Sequence, residues 1–193
     1  MAEEYLDDII LKKKQKKKKE KLLHYVQAQQ IVPNDLFQTL RIGDDMAEIR
    51  LPMGLNPMSE TMISRKYQYD PQPQVVMASK EGDISFAFSV LEVTITGKEL
   101  ASNVGKIREG LSIFWPSAVF YETGQDEVNG IKVSWFSYMN NSLDGCKLYH
   151  MIYYAATEKT LIISMSCKYD QMEEWSTVAR FCLRSLKGKA CNE

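Results

Sequence analysis

The residues from which reaction centres are usually built are scarce in this chain. Only two histidines, His24 and His150, occur among 193 residues, and the four cysteines, Cys146, Cys167, Cys182 and Cys191, form no Cys-x-x-Cys pair. Such a set does not readily supply three or four convergent metal ligands, and its spacing fits no compact disulfide framework. Gly97, Gly105 and Gly110 make no Gly-x-Gly-x-x-Gly turn, and no Gly-Lys-Ser/Thr loop is present to cradle a nucleotide phosphate. No apolar run approaches the roughly 20 residues needed to cross a bilayer. The N-terminus also lacks the order of a secretion signal, because Glu3, Glu4, Asp7 and Asp8 come first and lysines follow the short stretch Ile9 to Leu11. A cytoplasmic protein with reduced thiols and no cofactor or metal is the expectation.

What the chain does have is segregated charge. Residues 12 to 21 read KKKQKKKKEK, in which eight lysines against one glutamate leave +7, and the formal net charge of −1 puts −8 on the other 183 residues. Residues 3 to 30 contain neither Pro nor Gly and are rich in Glu, Lys, Leu and Gln, which predicts a long N-terminal helix ended by Pro33. Its apolar residues gather at two ends, Tyr5, Leu6, Ile9, Ile10 and Leu11 in one patch and Leu22, Leu23 and Val26 in the other. A helix polar all round in its middle stands in water or bridges two bodies.

From Leu36 onward, 45% hydrophobic content supplies ample material for a core. Phe37 to Ile42 and Met46 to Leu51 predict a hairpin around Gly43-Asp44-Asp45. Asn56-Pro57 reads as the cap and first turn of a short helix to Lys66. A second hairpin, Val75 to Ser79 with Ile84 to Ile95, turns at Glu81-Gly82-Asp83. Leu100, Val104, Ile107, Leu111 and Phe114 recur at helical spacing behind a Thr96/Glu99 capping box. Ala118 to Glu122, Ile131 to Asn140, Lys147 to Ala156 and Thr160 to Cys167 then read as an antiparallel meander with both faces occupied. Asp170 opens a last helix with the stripe Met172, Trp175, Ala179, Cys182 and Leu186, ended by Gly188.

The fold class is therefore α+β, a mainly antiparallel sheet flanked by helices with a long N-terminal helix. Residues 1–32 form a Lys-rich extension, 33–188 the sandwich domain and 189–193 a tail. The order of elements is similar to a known family. The Leu51-Pro52-x-Gly54-Leu55 stretch, the aromatic strand Ser85 to Val90, the central Tyr153-Tyr154, and the closing helix with Trp175 and Leu186-Lys187 resemble the PsbP-like α/β/α sandwich. That superfamily includes the photosystem II extrinsic protein PsbP and a yeast nuclear Ran-binding protein, and its uncharacterised bacterial cytoplasmic members are the nearest in pattern. The resemblance implies a fold and non-enzymatic binding roles. No residue here matches a metal, docking or Ran-binding motif of those proteins.

Catalytic constellations are weak throughout. Cys146, His150 and Asp144 suggest a nucleophile, base and orienting acid, but residues four apart on a strand are separated by about 13 Å, too far for proton transfer. Asp44 and Asp45, and Asp170, Glu173 and Glu174, are accounted for as turn and capping residues. Trp135, Phe136, Tyr138, Tyr149, Tyr153 and Tyr154 belong to the core of a doubly covered sheet. Two partner-facing elements remain. Tyr5, Leu6, Ile9 and Ile10 form a candidate docking patch for a protein or a second copy. Lys12, Lys13, Lys16, Lys17 and Lys19 form a candidate anion-binding face for nucleic acid or anionic lipid, with a solvated helix face as the favoured reading. The leading functional expectation is a non-enzymatic protein-binding or adaptor module. The alternative is a hydrolase or small-ligand-binding protein with a site built from loops, not visible in sequence.

Overall fold

The alternating strands of the last third assemble as expected, into a sheet whose two faces are both packed. The computed structural model describes Glu20 and residues 36–68, 72–142 and 145–191. The expected N-terminal helix, its two apolar patches, its lysines and His24 lie outside the described residues. Within them run β1 (Phe37–Ile42), β2 (Ala47–Pro52), β3 (Asn56–Pro57), α1 (Glu60–Lys66), β4 (Val75–Ala78) and β5 (Ser85–Val90). There follow α2 (Leu100–Phe114), β6 (Val119–Val128), β7 (Ile131–Asn141), β8 (Lys147–Ala156), β9 (Thr160–Lys168), α3 (Met172–Arg184) and β10 (Lys187–Gly188). The large sheet has seven strands in the order β3-β4-β5-β9-β8-β7-β6, and a small sheet has three, β1-β2-β10. Every neighbouring pair is antiparallel.

Period-two alternation divides the large sheet between two cores. Phe86, Met151, Tyr153, Ile163 and Met165 face the small sheet and α3, where Ile49, Leu51, Trp175, Val178 and Cys182 complete the larger cluster. On the opposite face, α2 covers Phe136, Tyr138 and Tyr154 with Leu100 and Val104. On that face too, α1 sets Ile63 over Val76 and Ala87. The six aromatics of the meander are thus core residues.

Several expected boundaries move. Asn56-Pro57 is a two-residue strand on β4, and Ser59 is the true cap of α1, accepting from the Met62 amide at 3.4 Å. Proline fits both readings, since an edge strand, like a first helical turn, does not need its missing N–H. β5 stops at Val90, not Ile95, and β6 runs on to Val128, beyond Glu122. A bulge between Phe120 and Thr123 breaks the alternation of β6 and hides its length from sequence. The α2 stripe leaves the sheet at its end, where Phe114 is 63% exposed.

Gly188 ends no helix. It lies in β10 against β2, where an added Cβ would stand 2.7 Å from the Met46 carbonyl oxygen. Beyond it, Glu158 N–H donates to Lys189 O and Cys191 N–H to Ala156 O, so residues 187–191 join the small sheet to the large one. Among the described residues no helix is long and apolar enough to cross a membrane.

Candidate functional site

Serines interrupt the apolar alternation of the central strands on the face shared by α1 and α2. Register places Ser85 of β5 opposite Ser166 of β9, Ser166 opposite His150 of β8, and His150 opposite Tyr138 of β7. These four side chains form one row across the sheet. Helix α1, fixed by Ile63 and its Ser59 cap, ends above the row and brings Lys66 and Tyr67 to it.

Ser85 Oγ is the hub. It accepts from Lys66 Nζ at 2.9 Å and shares a hydrogen bond of 2.8 Å with Ser166 Oγ. The Tyr67 ring lies beside the ammonium, its centre 5.9 Å from Lys66 Nζ. Ser85 is fully buried, whereas Ser166 keeps part of its surface in solvent. Although Lys66 is exposed as a residue, desolvation of its ammonium lowers its pKa. No carboxylate pairs with it among the described residues. A hydroxyl can accept from the ammonium and donate onward, so Lys66 polarises Ser85 and, through it, Ser166.

His150 closes the other end. Its ring stacks on Tyr138 with centroids 4.7 Å apart, and Trp115 lies on the next side of Tyr138 at 6.0 Å. Nε2 lies 2.9 Å from Asn140 Oδ1 and donates to it, which leaves Nδ1 as the acceptor nitrogen of a neutral ring. Burial, helped by the positive charge of Lys66, lowers the His150 pKa to about 4. The next two rows of the same face carry half-buried Ser164, Ile152 and Ile162.

The Cys146-His150-Asp144 grouping, disfavoured by its strand spacing, is not what surrounds this histidine. His150 turns to Asn140 and Tyr138, Cys146 is an exposed thiol just before β8, and Asp144 lies outside the described residues. Asp44 and Asp45 have positive φ values of 48° and 62° in the first hairpin turn, and Asp45 pairs with Arg41 at 3.6 Å. Asp170 sits in a single 3-10 turn and Glu173 and Glu174 in the first turn of α3. No group of three potential metal ligands gathers among the described residues. The docking patch Tyr5, Leu6, Ile9 and Ile10 and the lysine face lie outside them. Lys66, Ser85 and Ser166 carry no motif, and the one signal that could have found them is serine at core-facing positions of otherwise apolar strands.

A second polar cluster lies on the α3 face beside the bulge. Arg180 sits 4.4 Å from the centre of the Trp135 ring and pairs with Glu122 at 2.5 Å, while Trp135 Nε1 donates to Asp126 at 2.8 Å. Gly124 makes room for this indole, since an added Cβ would stand 2.6 Å from it.

No family model matches the chain, and no curated protein matches it. Solved structures do. The solution structure of cyanobacterial PsbP (CyanoP) from Synechocystis superposes with a TM-score of 0.59 at 15% identity, covering 82% of this chain and 95% of that one. A Bacteroides thetaiotaomicron protein gives a TM-score of 0.50 at 9% identity, covering 80% of this chain and 49% of that one. A Pseudomonas aeruginosa protein of unknown function, a putative regulator, gives 0.47 at 9% identity over 79% of this chain and 97% of its own. At these identities the likeness is one of fold, and the fold is the PsbP-like mixed sandwich.

Proposed function

We propose that this is a non-enzymatic protein-binding module that docks through its N-terminal segment, first of all onto a second copy of itself. The observation carrying the reading is the junction of α2 and β6. There Ile113 is 81% exposed, Phe114 63% and Val119 45%, beside the outer edge of a ten-residue strand. Grouped exposed apolar side chains and an uncovered strand edge are features of an interaction surface. Complementarity of charge and apolar character supports the N-terminal segment as the occupant. Strand β6 carries Glu127 beside Glu122 and Asp126, which are already engaged by Arg180 and Trp135, and no lysine or arginine, while the apolar residues Tyr5, Leu6, Ile9 and Ile10 adjoin a run of net charge +7. Apolar contact would anchor the segment and opposite charge would orient it. The cytoplasm is the proposed compartment, supported by four cysteines held as thiols.

Sedimentation velocity on the full chain at low and high salt tests this. A dimer weakened by Ile9→Asp, by Phe114→Asp and by salt is the expected result. A monomer under all conditions, or a dimer indifferent to both substitutions, would overturn it. Heparin retention with and without residues 1–30 separates the nucleic-acid or lipid reading, which predicts a large loss of retention on deletion.

A further inference from the structure

The row Lys66, Ser85, Ser166 and His150 is independent of that docking surface and has a chemistry of its own. An ammonium drawn partly out of water is ordinarily matched by a carboxylate. Lys66 instead has a serine hydroxyl at 2.9 Å and no acidic partner among the described residues. Two of its three N–H groups remain to be used. Ser166 Oγ lies 2.8 Å from the same Ser85 oxygen, and when Ser85 donates across that contact Ser166 keeps its own hydrogen to give as the second donor. A tetrahedral arrangement at the shared oxygen sets the two donors about 4.6 Å apart, a span that one carboxylate bridges with an oxygen to each.

We propose that this row binds a small carboxylate with a short apolar body, its oxygens on Lys66 Nζ and Ser166 Oγ and its body along Ile152 and Ile162. The charge count favours a monoanion, since the row offers a single ammonium and no guanidinium. Half-buried Ile152 and Ile162 lie in the next two rows of the same face, at the edge of the cluster under α2, and supply the apolar floor. His150 stays neutral on its Asn140 bond and leaves the charge of Lys66 to the ligand.

Titration of the full chain with sodium isovalerate, followed by amide and histidine side-chain chemical shifts, tests the site. Saturable shifts at Ser85, Ser166 and His150 are expected, with binding weakened about tenfold or more by Lys66→Met and by a smaller factor by Ser166→Ala. Lys66→Arg should retain part of the affinity. Acetate should bind more weakly for want of the apolar body, and neutral isovaleramide should not saturate. Lys66 is exposed as a residue, so the methionine variant is expected to fold, and its spectrum verifies this in the same experiment. Equal affinity in wild type and Lys66→Met, saturation by isovaleramide, or no saturable shift at the row would overturn the proposal. Tighter binding of inorganic phosphate than of isovalerate would overturn the carboxylate assignment.

Discussion

Replacing His150 by glutamine removes one titration from the folded protein and should flatten its acid sensitivity. The imidazole lies on Tyr138, donates to Asn140 and feels the charge of Lys66, which together with burial holds its pKa at about 4 against an ordinary 6.5. The sign follows from which state takes up the proton. Between these two values the unfolded chain binds a proton that the folded ring refuses, so unfolding is favoured as the pH falls. The contribution is fully present above about 6.5 and its loss is complete below about 4. By linkage the His150 share of stability falls by about 1 kcal/mol from pH 7 to pH 5.5 and by about 2 kcal/mol from pH 7 to pH 4.5. Carboxylates also titrate in this range, but they are common to both proteins and cancel in the difference. Urea unfolding at pH 7, 5.5 and 4.5, followed by tryptophan fluorescence, supplies the measurement. The stability of wild type relative to His150→Gln should decline by those amounts. Parallel pH profiles would refute the reasoning, because they would mean that the folded ring takes up its proton as readily as the unfolded one.

Gly124→Ala should destabilise the domain by about 1–3 kcal/mol, because its Cβ would meet the Trp135 indole at 2.6 Å and displace it from Asp126. A urea midpoint indistinguishable from wild type would show that the indole has room to move. Thiol titration in native buffer should modify Cys146 rapidly and half-buried Cys191 more slowly, while buried Cys167 and Cys182 react only on unfolding. Burial pushes the Cys182 thiol far up, so rapid native labelling there would contradict the packing of α3 on the sheet.

The parts of this fold that could be read in the sequence are those in which one physical signal dominates. β7 and β8 are long and flanked by turns, and their alternation correctly separates Tyr149, Met151 and Tyr153 from Ile152 and Tyr154. The stripe of α3 is equally direct. β6 was only half legible, because its polar run Glu122 to Glu127 lies exposed at a sheet edge and its bulge shifts the period. Of the candidate site, only the serines at core-facing strand positions left a trace in the sequence. Lys66, Ser85, His150 and Ser166 come from four elements, and only the strand register brings them into one row. A period-two pattern identifies the face of a strand but not the partner opposite each residue. Strand spacing separates His150 from Cys146, but it does not name the contacts His150 makes instead, Tyr138 and Asn140 across the sheet.

The strand that completes the small sheet has a consequence for how the protein is made. β2 is exposed by the ribosome early, yet its partner β10 pairs Lys187 with Glu48 and follows about 140 residues later. At ordinary elongation rates this is an interval on the order of ten seconds. Throughout it, Ile49 and Leu51 of the first hairpin await α3 and β10, which cover and complete their sheet. The nascent hairpin is therefore the segment most in need of chaperone cover, and slowing translation over the last fifty codons should raise aggregation more than the same delay placed before β1.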